Sequence, residues 1–187
     1  MIDLLKSIDE STFLFLNGMH TSLFDFIMYW ISSKTLWIPL YAIILLSIKK
    51  KLSWKNFGFA LAAIAILILI TDQGSVFIKE TVQRYRPCHS LNLKELVHTI
   101  ENYCGGQYGF FSSHAANTFG IAIFAGNLLS TNNRNILYAL IIWASIVSYS
   151  RIYLGVHYPS DIITGGFYGA LIGTLLYRLF SLRLSKS

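Results

Sequence analysis

Charge is scarce in this chain. Only 13% of its 187 residues are Asp, Glu, Lys or Arg, about half the ~25% of an ordinary soluble domain. That deficit, with 54% hydrophobic residues and a mean hydropathy of +0.53, excludes a typical water-soluble globule and points to the bilayer as solvent. Cysteine is scarcer still. Cys88 and Cys104 are the two present, too few for a four-ligand zinc site. Both fall in one polar stretch, and the sequence leaves open whether they form a disulfide. The first residues, MIDLLKSIDE, lack a basic n-region, so no cleavable signal peptide is expected. The net charge is +6, but the basic residues flank apolar runs. They therefore speak to topology rather than to nucleic acid, and no nucleic-acid partner is expected.

What is present is a series of apolar segments. Residues 3–16 read as a short amphipathic helix suited to a membrane surface. The segments LFDFIMYWISS (23–33) and LWIPLYAIILLSI (36–48) are each short against the ~20 residues of a straight span. They form either two spans or one broken span. Longer spans are expected at 57–79, 113–130, 136–150 and 161–180. Small residues recur in them, among them Ala60, Gly120, Gly165, Gly169 and Gly173, as close helix packing in lipid favours. The expected fold is all-α: a polytopic membrane bundle of about six transmembrane helices with an N-terminal amphipathic helix. The lysines of KKKLSWK (49–55), Arg134, and Arg178, Arg183 and Lys186 mark the cytoplasmic ends. The polar stretches 80–112 and 151–160 then face outward.

Those outward stretches are themselves basic, which calls for a chemical reason. KETVQRYRP places Lys79 and Arg86 seven residues apart, on one face if helical. Pro87 predicts a helix end at Arg86. GFFSSHAAN places Ser112, Ser113 and His114 at a helix start, where free N–H groups favour an anion. SYSRIYLGVHYPSD holds Ser150, Arg151, His157 and Asp161, with the last two one helical turn apart. A carboxylate there would orient the imidazole. Each stretch alone has an ordinary explanation: snorkelling cations, an N-cap serine, an interfacial histidine. Together they put six ionisable groups on one side of one membrane, where such groups are kept mostly for function. Asp72 and Gln73 are expected to pair within the bundle, and His20, His89 and His98 to serve surface or packing roles.

The order Lys-x6-Arg-Pro, Ser-x-His, Ser-Arg-x5-His-x3-Asp resembles the type 2 phosphatidic-acid phosphatase superfamily, which includes membrane lipid phosphatases and vanadium haloperoxidases. The resemblance runs from about residue 57 onward. Phe111 and Ser113 stand where the family usually has proline and glycine. The resemblance implies one membrane-embedded phosphatase domain over 1–187, with a catalytic core at about 57–180. It implies phosphate binding by Lys79, Arg86, Ser112, Ser113 and Arg151. His157 would be the nucleophile forming a phosphohistidine, Asp161 its orienting group and His114 the acid–base. No metal or other cofactor is expected, because the cations are built into the chain.

The substrate is expected to be a lipid phosphate or pyrophosphate in the bilayer, with undecaprenyl pyrophosphate first. Phosphatidylglycerophosphate, phosphatidic acid and a lipid A phosphate are the alternatives, and lipid phosphotransfer a related reaction. The expected location is the bacterial inner membrane, with the site facing the periplasm or exterior and no obligate protein partner. The loop 88–111 is the expected selectivity element. A transporter would spread polar residues through the membrane depth; here they gather on one side.

Overall fold

The computed structural model describes residues 2–101, 103–130 and 133–185. Seven α-helices order them: α1 (Ile2–Asn17), α2 (Ser22–Ser32), α3 (Ile38–Lys51), α4 (Trp54–Val82), α5 (Ser113–Leu129), α6 (Asn135–Tyr153) and α7 (Pro159–Leu184). Local chemistry sets several starts. Ser53 and Ser112 cap α4 and α5 by accepting from Asn56 N and Ala115 N, and Pro159 opens α7 where its missing N–H costs nothing.

Helix α5 is the centre of the bundle and packs against α7, α6, α4 and α3. Its seam with α7 runs through small residues: Gly165 lies against Ser112 O, Gly169 against Ala116 O and Gly173 against Gly120 O. The matching order shows that the two helices run parallel. On its opposite face α7 carries Ile163, Phe167, Leu171, Leu175 and Leu179, which are 52–73% exposed. That stripe at four-residue spacing is left uncovered by the described residues and suits lipid. Helix α4 is antiparallel to α5, since Ser75 meets Ser113 and Thr71 meets Asn117. At the far end Lys51 Nζ donates to Leu128 O (2.7 Å). The basic segment 49–55 therefore lies at one end of the bundle, and Lys79, His114, Arg151 and Asp161 at the other.

By length and composition α4, α6 and α7 can each cross a membrane, and α2 with residues 35–51, bent by 69°, can form one broken fourth span. Among the described residues, three helices and one bent pair meet that test, against about six expected spans. Helices α2 and α3 have 11 and 14 residues, or roughly 16 and 21 Å against a hydrocarbon core of ~30 Å. The helix lengths thus speak against two straight spans over 23–48 and allow a broken span or a re-entrant loop.

The stretch between α4 and α5 folds over the site end. It is tied by a Tyr85–Tyr108 bridge, Gly109 N→Arg84 O (2.9 Å) and Cys88 N→Gly155 O (3.2 Å). A Cys88–Cys104 disulfide closes it, with Cα atoms 5.9 Å apart and a sequence separation of 16. A loop of about that length contributes up to ~3 kcal/mol by restricting the unfolded chain. Cys88→Ser is therefore expected to lower the melting temperature of the oxidised protein, and a reductant should then have no further effect. A variant melting with the parent would show that the other ties suffice.

Candidate active site

The site forms where four segments meet. Helix α4 brings Lys79 on its last turn but stops at Val82, with Gln83 left-handed (φ 50°). The expectation of one helix running to Arg86 is therefore corrected. Arg86 is extended (φ −64°, ψ 156°) and reaches the site from the loop, not from the helix face that holds Lys79. Pro87 requires the extended backbone but does not mark the helix end.

A cleft of about 750 Å³ is lined at its polar end by Lys79, Arg86, Ser113, His114, Arg151 and His157. Toward the bundle interior its walls turn apolar, with Trp37, Tyr41, Ile44, Ile64 and Ile68. Lys79 Nζ donates to Ser113 Oγ (2.6 Å) and Ser75 Oγ (3.4 Å). Arg86 Nη1 donates to Val156 O (3.0 Å) and contacts His157 Nε2 (3.1 Å). Arg151, only 4% exposed, donates to Ser32 Oγ and, through Nη2, to Tyr103 OH (3.4 Å). Among the described residues, none of these three cations forms an ion pair with a carboxylate. Arg86 Nε and Arg151 Nε are buried without an acceptor. A cleft so arranged favours an anion.

His157 lies between α6 and α7, 2% exposed. A guanidinium only donates, so Nε2 facing Arg86 is the acceptor nitrogen and the ring proton sits on Nδ1. That proton points at Asp161 Oδ2, 3.2 Å away. Burial first, then the facing guanidiniums of Arg86 and Arg151, holds the imidazole well below the usual histidine range. It is neutral at pH 7. Burial and the neighbouring Arg151 also press Arg86 down to about 10, which leaves it protonated. The His157–Asp161 pair is not a helical turn, because α7 begins only at Pro159. The Asp161 carboxylate instead reaches back to Tyr158 N (3.0 Å) and to the ring.

His114 stands on the first turn of α5 and lines the cleft. Ser112 does not. Fully buried, its hydroxyl caps α5, and Ser113 is the serine facing the cleft. Asp161 lies behind His157, away from the cleft surface. The site residues of all three stretches thus come to one end of the bundle, with Ser112 and Asp161 set back from the cleft lining.

A family model for the PAP2 superfamily matches residues 54–185. The chain belongs to the PAP2 superfamily. It is a membrane lipid phosphatase of that superfamily, a phosphoric monoester hydrolase. It is 38% identical over 179 residues to a lipid A 4'-phosphatase of Bacteroides thetaiotaomicron, covering 95% of this chain and 79% of that one. A lipid A 4'-phosphatase of Porphyromonas gingivalis is 34% identical, with 96% and 75% covered. An undecaprenyl-diphosphatase of Sulfolobus acidocaldarius is 26% identical, with 96% and 78% covered. In fold the chain is similar to Aquifex aeolicus LpxE (TM-score 0.68, 22% identity, 90% and 93% covered). It is similar also to a PAP2 type phosphatidylglycerolphosphate phosphatase of Bacillus subtilis (TM-score 0.69, 22% identity, 94% and 86% covered).

Sequence reasoning missed several neighbours of this PAP2 site. Ser75, one turn earlier on α4, accepts from Lys79, and Ser32 and Tyr103 hold Arg151 from distant segments. Gly109 crosses directly over the histidine–aspartate pair: a Cβ there would sit 3.2 Å from both Arg86 Cγ and Asp161 Oδ2. Gly109 is thus a point of close backbone approach. Asp72 accepts from Asn117 (2.8 Å) as expected, but both it and Gln73 also line the cleft. His20 stacks on His98 (3.7 Å) and His89 faces Gly105 O (3.3 Å), all three away from the cleft lining.

Proposed function

We propose that this phosphatase hydrolyses the phosphate monoester of a lipid A-type glycolipid through a phosphohistidine intermediate. The observation that carries the substrate is the 38% identity along 95% of the chain to a lipid A 4'-phosphatase. The undecaprenyl pyrophosphate first expected gives way to this alternative, because the relative acting on that lipid is only 26% identical. The apolar inner walls of the cleft suit the hydrocarbon end of such a substrate.

In this reading Lys79, Arg86 and Arg151 hold the phosphoryl oxygens, with Ser113 adding a hydrogen bond. The Nε2 lone pair of His157 attacks phosphorus as the bond to the lipid oxygen breaks. His114 gives that oxygen a proton. The developing imidazolium is stabilised by Asp161 at Nδ1. Water, deprotonated by His114, then attacks the phosphohistidine, releasing inorganic phosphate and restoring the neutral ring. The Ser112 hydroxyl contributes through the α5 start rather than by touching phosphate. Residues 1–187 act as one domain. By the positive-inside rule the site opens on the outer side of the bacterial cytoplasmic membrane, opposite the lysine-rich end.

Purified protein in detergent, given lipid A, undecaprenyl diphosphate, phosphatidylglycerophosphate and phosphatidic acid at equal concentration, is expected to release phosphate fastest from lipid A. Fastest release from undecaprenyl diphosphate would overturn the substrate. Transfer of label to a second lipid in place of free phosphate would overturn hydrolysis. Because three protein cations offset the phosphoryl charge, turnover is expected to persist in excess EDTA. A strict divalent-ion requirement, restored by added metal, would contradict it.

A further inference from the structure

Arg84 lies two residues before the motif arginine and outside the cleft lining, yet it holds the back of the proposed nucleophile's support. Its Nη1 donates to Asp161 Oδ1 (3.1 Å) and Ser160 Oγ (2.7 Å). Its Nη2 donates to Asp9 Oδ2 (2.7 Å). The guanidinium stacks over the Tyr158 ring at 3.8 Å, and its backbone carbonyl accepts from Gly109 N. Asp9 belongs to α1, outside the segment matched by the family model. It also accepts from Ser160 N (2.9 Å) and Ser160 Oγ. The Asp161 carboxylate is therefore fully engaged: Oδ1 by Arg84, Oδ2 by Tyr158 N and His157 Nδ1.

We propose that Arg84 and Asp9 are positioning residues for the His157–Asp161 pair, so that the amphipathic helix α1 is part of the catalytic assembly. The inference rests on His157 being the nucleophile. A carboxylate held on both oxygens cannot rotate, and its fixed Oδ2 fixes the imidazole plane and tautomer. The planar guanidinium holds its donors in a rigid fork, so Nη1 and Nη2 bridge Asp161 and Asp9 in one fixed geometry that a flexible ammonium does not impose. Asp9 balances the guanidinium, leaving it aimed at Asp161 rather than at water.

The experiment compares Arg84→Ala, Asp9→Asn and His157→Gln with the parent, each first shown monodisperse in detergent, using lipid A. Arg84 does not touch the cleft, so Arg84→Ala is expected to lower kcat about 10–100-fold with KM nearly unchanged. Loss of a direct phosphate ligand would raise KM as well. Arg84 is 23% exposed, so guanidinium ion below denaturing concentration should enter the vacated space and restore part of kcat, with no gain for the parent. Asp9→Asn should show a smaller loss in the same direction, and the two changes combined should be less than additive. Parental kcat in folded Arg84→Ala, or a raised KM alone, overturns the proposal while His157→Gln is dead. If Arg84→Ala does not fold, Asp9→Asn decides: parental kcat overturns the proposal, and lowered kcat at parental KM upholds it. An active His157→Gln removes the underlying reading itself.

Discussion

His157→Gln is expected to abolish turnover and to leave the bundle folded. Glutamine keeps a polar side chain in a site that is 2% exposed, and its amide can still donate toward Asp161. What it lacks is the Nε2 lone pair, which the proposed mechanism uses as the nucleophile. Loss of the nucleophile is expected to cost on the order of 10⁴-fold or more in kcat. Phosphate release measures it, and thermal unfolding in detergent checks the fold. The same variant carries a second, independent signature. Burial holds the folded-state pKa of His157 well below the unfolded value of ~6.5. Below pH ~6.5 the unfolded chain therefore takes up a proton that the folded ring refuses, and stability falls as the pH drops. Removing the ring removes this loss. His157→Gln is thus expected to lose less stability than the parent between pH 7 and pH 5. Parental turnover in the variant would sink the nucleophile assignment; an unchanged acid slope would sink the buried, neutral ring.

The three blocks of the site were legible because each is short and internally spaced: Lys79 to Arg86, Ser112 to His114, Arg151 to Asp161. The expectation that they converge rested on the positive-inside rule, and the bundle brings all three to one end. What escaped reading is what depends on contacts between distant segments. Nothing in the sequence near Arg84 names Asp9, 75 residues away, and nothing near Arg151 names Ser32, 119 residues away. The choice between Ser112 and Ser113 was equally hidden. Both are serines at a helix start, and only the helix phase decides which one caps and which one faces Lys79. The end of α4 escaped for a different reason. Pro87 restricts only its immediate predecessor, whereas the chain leaves the helix at Gln83 to pair Tyr85 with Tyr108. Spans 57–79, 136–150 and 161–180 were legible from apolar length alone. The 23–48 region was not, because two short runs and one bent run have the same composition.

Gly169→Leu is expected to unfold the bundle or leave it without activity, and even Gly169→Ala should be costly. A Cβ on Gly169 would press into the carbonyl of Ala116, closer than any real contact. The obstacle is backbone, which cannot swing aside as a side chain can. The neighbouring positions offer no relief, for Cβ atoms at Gly165 and Gly173 would each meet a carbonyl oxygen of α5 at 2.5 Å. Helices α5 and α7 must therefore separate along their whole seam. Overpacking of this kind costs about 1–3 kcal/mol for a single methyl and more for a leucine. The damage would reach the proposed chemistry directly, because α5 carries His114 and α7 carries Asp161 against His157. Gly58, on α4, is the matched control: nothing lies within 4 Å of its Cβ position. Gly58→Ala should be neutral, or should stabilise the helix by about 0.5–1 kcal/mol. Unfolding in detergent and phosphate release measured on both variants separate the cases. Equal stability of Gly169→Ala and Gly58→Ala would mean that the two helices do not meet through their glycines. The placement of His114 and His157 on one cleft would then lose its mechanical basis.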